Sequence, residues 1–172
     1  MDQLRSLIRD VADFPEPGIL FKDITPLLGD AEALSRVLDL MSDPHRQEAP
    51  SHVAGIEARG FILATSVADR VGAGFVPIRK PGKLPWKTVQ TTYDLEYGSD
   101  ELEVHADAVA PGDRVLIVDD VLATGGTAAA AVRLTQSLGA EVVGVSVLVE
   151  LAFLGGRAKI DVPIEALIVY DE

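Results

Sequence analysis

The sequence predicts an α/β fold, a mainly parallel sheet flanked by helices, and three observations carry the prediction. Short apolar segments alternate with helical stretches in the order β-α-β…β-α-β. Arg114–Val118 enters a continuous apolar run, the pattern of a strand covered on both faces. That strand ends in two carboxylates and a glycine-rich turn, where open α/β sheets receive ligands. The 172 residues, 48% hydrophobic and 24% charged, suit one domain around one core, here residues 1–172.

Taken in order, Gln3–Val11 reads as a short amphipathic helix. FPEPGILF, residues 14–21, holds two prolines and a glycine and must be extended and turned. Asp30 can cap a helix running from Ala31 to about Leu40 or Met41, with Leu34, Val37, Leu38 and Met41 on one face. His52–Ile56 is a short buried strand, Gly60–Val71 a helix and Gly74–Ile78 the next strand. Proline, glycine and lysine dominate residues 80–88, an exposed loop. Thr91–Tyr97 and Glu101–His105 alternate as two strands of a hairpin joined near Gly98 and Ser99. Pro111-Gly112 turns the chain into the strand at Arg114–Val118. Thr127–Ser137 is an alanine-rich helix closed by Gly139. Val142–Val149 and Ile164–Val169 complete the sheet.

Composition excludes several classes of function. Without cysteine there is neither a disulfide nor a thiolate zinc site. His45, His52 and His105 show no metal-ligand spacing. A net charge of −12 disfavours nucleic acid and anionic membrane as partners. No apolar run is long enough to span a bilayer, and no signal-peptide core opens the chain, so the expectation is cytoplasmic. One window departs from the acidic balance. From Arg70 to Tyr93 there is no acidic residue, while Arg79, Lys80, Lys83 and Lys87 crowd its middle. It reads either as an anion site or as a solvated basic loop.

The chemistry concentrates in VLIVDDVLATGGT, Val115 to Thr127. Gly125 and Gly126 at a helix start allow backbone N–H groups to cradle an anion, and Thr124 and Thr127 add hydroxyls. Asp119 and Asp120 beside them suit hydroxyl groups, or a metal near those hydroxyls. A phosphate at one end and a diol nearby describe a ribose 5-phosphate. The P-loop is excluded because Gly126 stands where its lysine belongs, and no G-x-G-x-x-G occurs.

This segment resembles the phosphoribosyl pyrophosphate (PRPP) motif of the type I phosphoribosyltransferases, and in its wording their adenine-specific branch. FPEPGILFKDITPLL (14–28) resembles that branch's N-terminal hood, about residues 1–28. GIEARGF (55–61) resembles its pyrophosphate loop. IRKPGKLP (78–85) and TYDLEYG (92–98) resemble the start and end of its mobile catalytic loop, about 80–98.

The resemblance implies Mg²⁺-assisted transfer of the phosphoribosyl group of PRPP to adenine, giving AMP and pyrophosphate in purine salvage, by a homodimer. Ala123, Thr124, Gly125, Gly126 and Thr127 would hold the 5-phosphate, and Asp119 and Asp120 the ribose. Arg59 would grip pyrophosphate with a planar, permanent charge, joined by Lys80 and Lys83. Arg79 is open between joining them and, by strand alternation, pointing away from the site. Leu20 would pair with adenine through its backbone, with Phe21 packing nearby and Lys22 beside the base. Relatives carry arginine at Lys22, and a lysine has no plane to stack. Glu96 would be the chief acid–base residue and Tyr97 would help close the loop. The Mg²⁺ would be bound through PRPP's oxygens, with no protein metal site. Trp86 in the loop either covers the site or packs on a second subunit. The rivals are a phosphoribosyltransferase for 6-oxopurines, which the hood wording opposes, and a PRPP-sensing regulator, for which no spare domain exists.

Overall fold

The computed structural model describes residues 1–94 and 99–172. Five parallel strands form the central sheet: β3 (His52–Ile56), β4 (Gly74–Ile78), β7 (Arg114–Leu122), β8 (Glu141–Leu151) and β9 (Ile164–Tyr170), in the order β4-β3-β7-β8-β9. Helix α4 (Gly60–Val71) crosses over from β3 to β4, and α5 (Gly126–Ser137) from β7 to β8. The long, apolar β7 lies at the middle of the sheet, as its unbroken hydrophobic run requires. Its alternate residues feed opposite faces. Leu116 and Val118 pack with α3 (Ala31–Ser42) and α4, while Val115 and Ile117 pack with the alanines of α5. All four are fully buried, each contributing roughly 1.5–3 kcal/mol by leaving water.

The helix starts follow the residues that cap them. The Asp30 carboxylate accepts from the N–H groups of Glu32 and Ala33 at 3.1 and 2.9 Å and opens α3. Gly72, with φ +73°, closes α4.

Several boundaries differ from the sequence expectation. The predicted helix at Gln3–Val11 stops early: α1 is Asp2–Arg5, and Arg9–Ala12 is a strand, β1. β1 pairs antiparallel with β2 (Leu20–Asp23), and these ladder bonds outweigh local helical preference. A short helix, α2 (Thr25–Gly29), follows where none was expected. The hairpin strands are β5 (Thr88–Asp94) and β6 (Ser99–His105), so β5 begins earlier than Thr91. Asp119 and Asp120 lie within β7 rather than after it, because pairing with β8 continues to Leu122.

Candidate active site

Every chemically marked residue on the sheet lies at the carboxyl ends of its strands, where successive turns open onto one cavity of about 940 Å³. The floor is the end of β7. Asp120 is buried and Asp119 part-buried. Burial raises the Asp119 carboxyl well above its ordinary value, and the Asp120 charge adds to this. Burial also raises Asp120, while the Arg59 guanidinium pulls it down. Gly60 allows this crowding: a Cβ there would stand 2.7 Å from Asp119 Oδ1.

Residues Ala123–Thr127 turn from β7 into α5 around a second hollow of about 80 Å³, lined by Asp119 and residues 121–128. Gly125 has φ +79° and precedes α5, so the helix's free N–H groups face the hollow. The small volume and the converging donors suit one phosphate.

The β3–α4 turn brings Glu57, Ala58 and Arg59 into the large cavity. Arg59 Nε stands 2.6 Å from Asp120 Oδ2, but without the alignment of a hydrogen bond, so that oxygen keeps accepting capacity. The same guanidinium lies 4.8 Å above the Phe21 ring. Two residues expected to hold different parts of a substrate therefore meet each other across the cavity.

The basic window is not an isolated positive patch. Arg79 Nε donates to Glu57 Oε2 at 3.0 Å, the Lys80 N–H donates to the same oxygen at 3.0 Å, and Lys83 pairs with Glu57 Oε1. Lys80 pairs with Asp100 and reaches the Tyr93 hydroxyl at 3.3 Å. That hydroxyl accepts from Thr127 at 3.4 Å, which ties the basic loop to the Ala123–Thr127 turn. Buried Glu103 accepts from the Lys83 and Leu84 N–H groups, both at 3.1 Å. Burial raises the Glu57 and Glu103 carboxyls, but these hydrogen bonds and charges outweigh it and hold both below their ordinary value. Of the expected pyrophosphate residues, Arg59 and Lys80 line the cavity; Lys83 lies on Glu57 behind it.

The remaining walls are apolar. Gly18, Ile19, Leu20 and Phe21 come from the β1–β2 ribbon, and Leu151, Phe153 and Leu154 from the end of β8. Leu20 and Phe153 are about half exposed, at 50% and 54%. Such apolar jaws fit the two faces of a flat ring. Lys22 borders the cavity, but its ammonium turns away, 2.7 Å from Asp10 and 4.2 Å over the Tyr170 ring. Glu96 and Tyr97 lie outside the described residues. Among the described residues, no three His, Asp or Glu side chains converge as a metal cage.

Sequence reasoning missed Glu57, Tyr93, Asp100, Glu103 and the Leu151–Leu154 wall. Glu57 and Tyr93 had a signal, their places in GIEARGF and TYDLEYG; the others reach the site only through folding.

Residues 28–164 match the phosphoribosyl transferase domain family. The chain is 58% identical over 170 residues to the adenine phosphoribosyltransferase of Streptomyces galbus, covering 96% of this chain and 93% of that one. It is 59% identical over 159 residues to the one from Frankia alni, covering 92% and 84%. The solved adenine phosphoribosyltransferase of Rhodothermus marinus superposes with a TM-score of 0.95 at 50% identity, over 98% of this chain and 97% of that one. A Saccharomyces cerevisiae structure, complexed with an imino-altritol bisphosphate and adenine, gives 0.91 at 38%, over 96% and 97%.

Proposed function

The chain belongs to the phosphoribosyl transferase family, in its adenine phosphoribosyltransferase branch, and from that membership we propose how its residues divide the reaction. The activity is transfer of the 5-phosphoribosyl group of PRPP to adenine, giving AMP and pyrophosphate. The observation that carries the assignment of parts is their adjacency: a phosphate-sized hollow that shares Asp119, Ala123, Thr124 and Thr127 with the large cavity, which also holds Asp120 and the apolar walls.

In this reading Ala123–Thr127 hold the 5-phosphate, and Asp119 and Asp120 accept from the ribose hydroxyls. Positive charge grows on the sugar as the bond to pyrophosphate lengthens, and the two carboxylates face it. PRPP displaces Arg59 from Asp120 and takes the guanidinium on its pyrophosphate oxygens, with Lys80 and Lys83 adding charge as the leaving group departs. Enzymes of this family use Mg²⁺ with PRPP, and an ion bound through PRPP's oxygens would neutralise pyrophosphate charge.

Adenine enters between Leu20 and Phe21 on one side and Leu151 and Phe153 on the other, with Leu20 backbone groups reading its amino edge. Lys22 positions this wall rather than touching the base. Glu96, with Tyr97 beside it, accepts the imidazole proton at the far nitrogen when the loop of about residues 80–98 closes. Residues 1–172 act as one domain whose hood is about residues 1–28, in a cytoplasmic homodimer. No described helix is long and apolar enough to cross a membrane.

The test is pyrophosphate release from PRPP and Mg²⁺ with each purine base. Adenine should be turned over well and hypoxanthine poorly, because each mispaired buried polar group costs about 1–3 kcal/mol. Equal efficiency on both bases would overturn the assignment. In the same assay Glu96→Gln should lower turnover by about two to four orders of magnitude. A loss of only a few-fold would remove Glu96 from the mechanism.

A further inference from the structure

The turn after β8 touches the phosphate loop with nothing but backbone between them. Gly125 cannot carry a Cβ, because that atom would run into the Gly156 carbonyl oxygen and stand 2.9 Å from its Cα. The exclusion is mutual. A Cβ on Gly156 would run into the Ala123 carbonyl oxygen and stand 2.9 Å from the Gly125 nitrogen. The reasons differ, however. Gly125 needs glycine for its positive φ as well as for space, whereas Gly156 is not among the positive-φ glycines. It sits in the short 3₁₀ turn Gly156–Lys159, a conformation alanine adopts freely. Gly156 is therefore glycine for one reason, the closeness of the phosphate loop.

The turn is itself fixed from below. Glu150, only 4% exposed near the end of β8, receives Arg157 through two bonds, Nε at 2.7 Å and Nη2 at 2.8 Å. Arg157 also donates to the Ile164 carbonyl of β9 at 2.9 Å. A bidentate pair on one carboxylate, with a third bond to the neighbouring strand, leaves the turn little freedom. The turn just before it, Ala152–Leu154, supplies Phe153 and Leu154 to the base slot.

We propose that Gly156 is a positioning residue for the phosphate loop, with the Glu150–Arg157 pair holding it there. The inference rests on the reading of Ala123–Thr127 as the 5-phosphate cradle. The loop's N–H groups are backbone and cannot adjust one by one, so a displaced loop loses its phosphate geometry as a unit. Misplacing a binding group by about 1 Å can cost around a hundredfold in rate. The methyl group of Gly156→Ala must push backbone against backbone, since no flexible side chain lies between them.

The experiment measures AMP affinity by calorimetry, KM for PRPP and for adenine, and the melting temperature, in Gly156→Ala, Arg157→Met and Thr127→Val. Gly156→Ala should weaken AMP and raise the PRPP KM by about tenfold or more, leaving the adenine KM at saturating PRPP within about threefold. Arg157→Met loosens the turn without adding an atom to it, and should change the same two quantities in the same direction by less. If Gly156→Ala does not fold, the Arg157→Met pattern decides. A phosphate-selective loss supports the inference; equal losses for PRPP and adenine, or none, overturn it. Thr127→Val separates the inference from the reading beneath it. Weak AMP binding in Thr127→Val beside normal binding in Gly156→Ala overturns the role of Gly156 alone. Normal AMP binding in both removes the phosphate cradle, and the inference with it.

Discussion

Asp119 and Asp120 show how neighbouring charges set the chemistry of single residues. Two carboxylates at the end of one buried strand resist ionisation together, and both are raised by burial. Arg59 at 2.6 Å offsets this for Asp120. In the proposed reaction Arg59 would move to pyrophosphate, and the growing positive charge on the ribose would take its place opposite the pair. The ionised form is the useful one, so turnover should fall as pH drops through the raised range. The acid limb of kcat should therefore lie above the value of an exposed aspartate, about 3.9. Asp119→Asn should lower kcat by more than tenfold, on the scale of about 2.7–4 kcal/mol for one electrostatic contact to a transition state. Its melting temperature should hold or rise, because a buried charge is removed. A kcat that stays flat to about pH 4, or an Asn variant with normal turnover, would return both acids to a structural role.

At the scale of elements, Lys22 joins the β1–β2 ribbon to the end of β9. Its ammonium meets Asp10 across the ribbon and the Tyr170 ring at the end of β9, while Arg5 stacks on the same ring at 4.7 Å. Asp10 is more than half exposed, so the ion pair itself adds little. The cation over the aromatic face, buried on the lysine side, contributes about 0.5–2 kcal/mol. Lys22→Met keeps the stem and removes that contact. It should raise the adenine KM by about two- to thirtyfold, the same energy read as affinity, with kcat and the PRPP KM little changed. An unchanged adenine KM would detach Lys22 from base binding. The basic loop shows the opposite arrangement. Glu57 pairs with Arg79 and Lys83, Asp100 pairs with Lys80, and Glu103 accepts from the loop's N–H groups. If Lys83 serves pyrophosphate as proposed, PRPP would have to compete with Glu57 for it.

At the scale of the molecule, the parallel sheet gathers turns from β3, β7 and β8 onto one edge, and the ribbon covers them. Exposed Ile62 on α4, at 47%, and Trp86 in the basic loop, at 63%, lie outside the cavity lining. In the proposed homodimer these two side chains would be candidates for the contact with the second copy. Sedimentation should give twice the chain's 18.3 kDa at assay concentrations, and Trp86→Ala or Ile62→Asp should shift mass toward the monomer. A fully active monomer in the wild type would end the homodimer reading.

The sequence by itself determined the order of strands and helices in the parallel sheet, the carboxylate pair, the glycine-rich loop and the family. Each of these is written in consecutive residues: a run of apolar side chains, a D-D pair, glycines at a helix start. β7, α4 and α5 were legible for that reason. The helix expected at Gln3–Val11 became partly a strand because Arg9–Ala12 found a partner in Leu20–Asp23, and periodicity does not report partners. Only the tertiary structure decided which acids neutralise the basic window, where Lys22 points, and why Gly156 has no side chain. Asp100 and Glu103 lie well beyond that window in sequence, and Gly156 lies thirty-one residues after Gly125. Packing brings such residues within a few ångströms, and no local pattern encodes a distance of that kind.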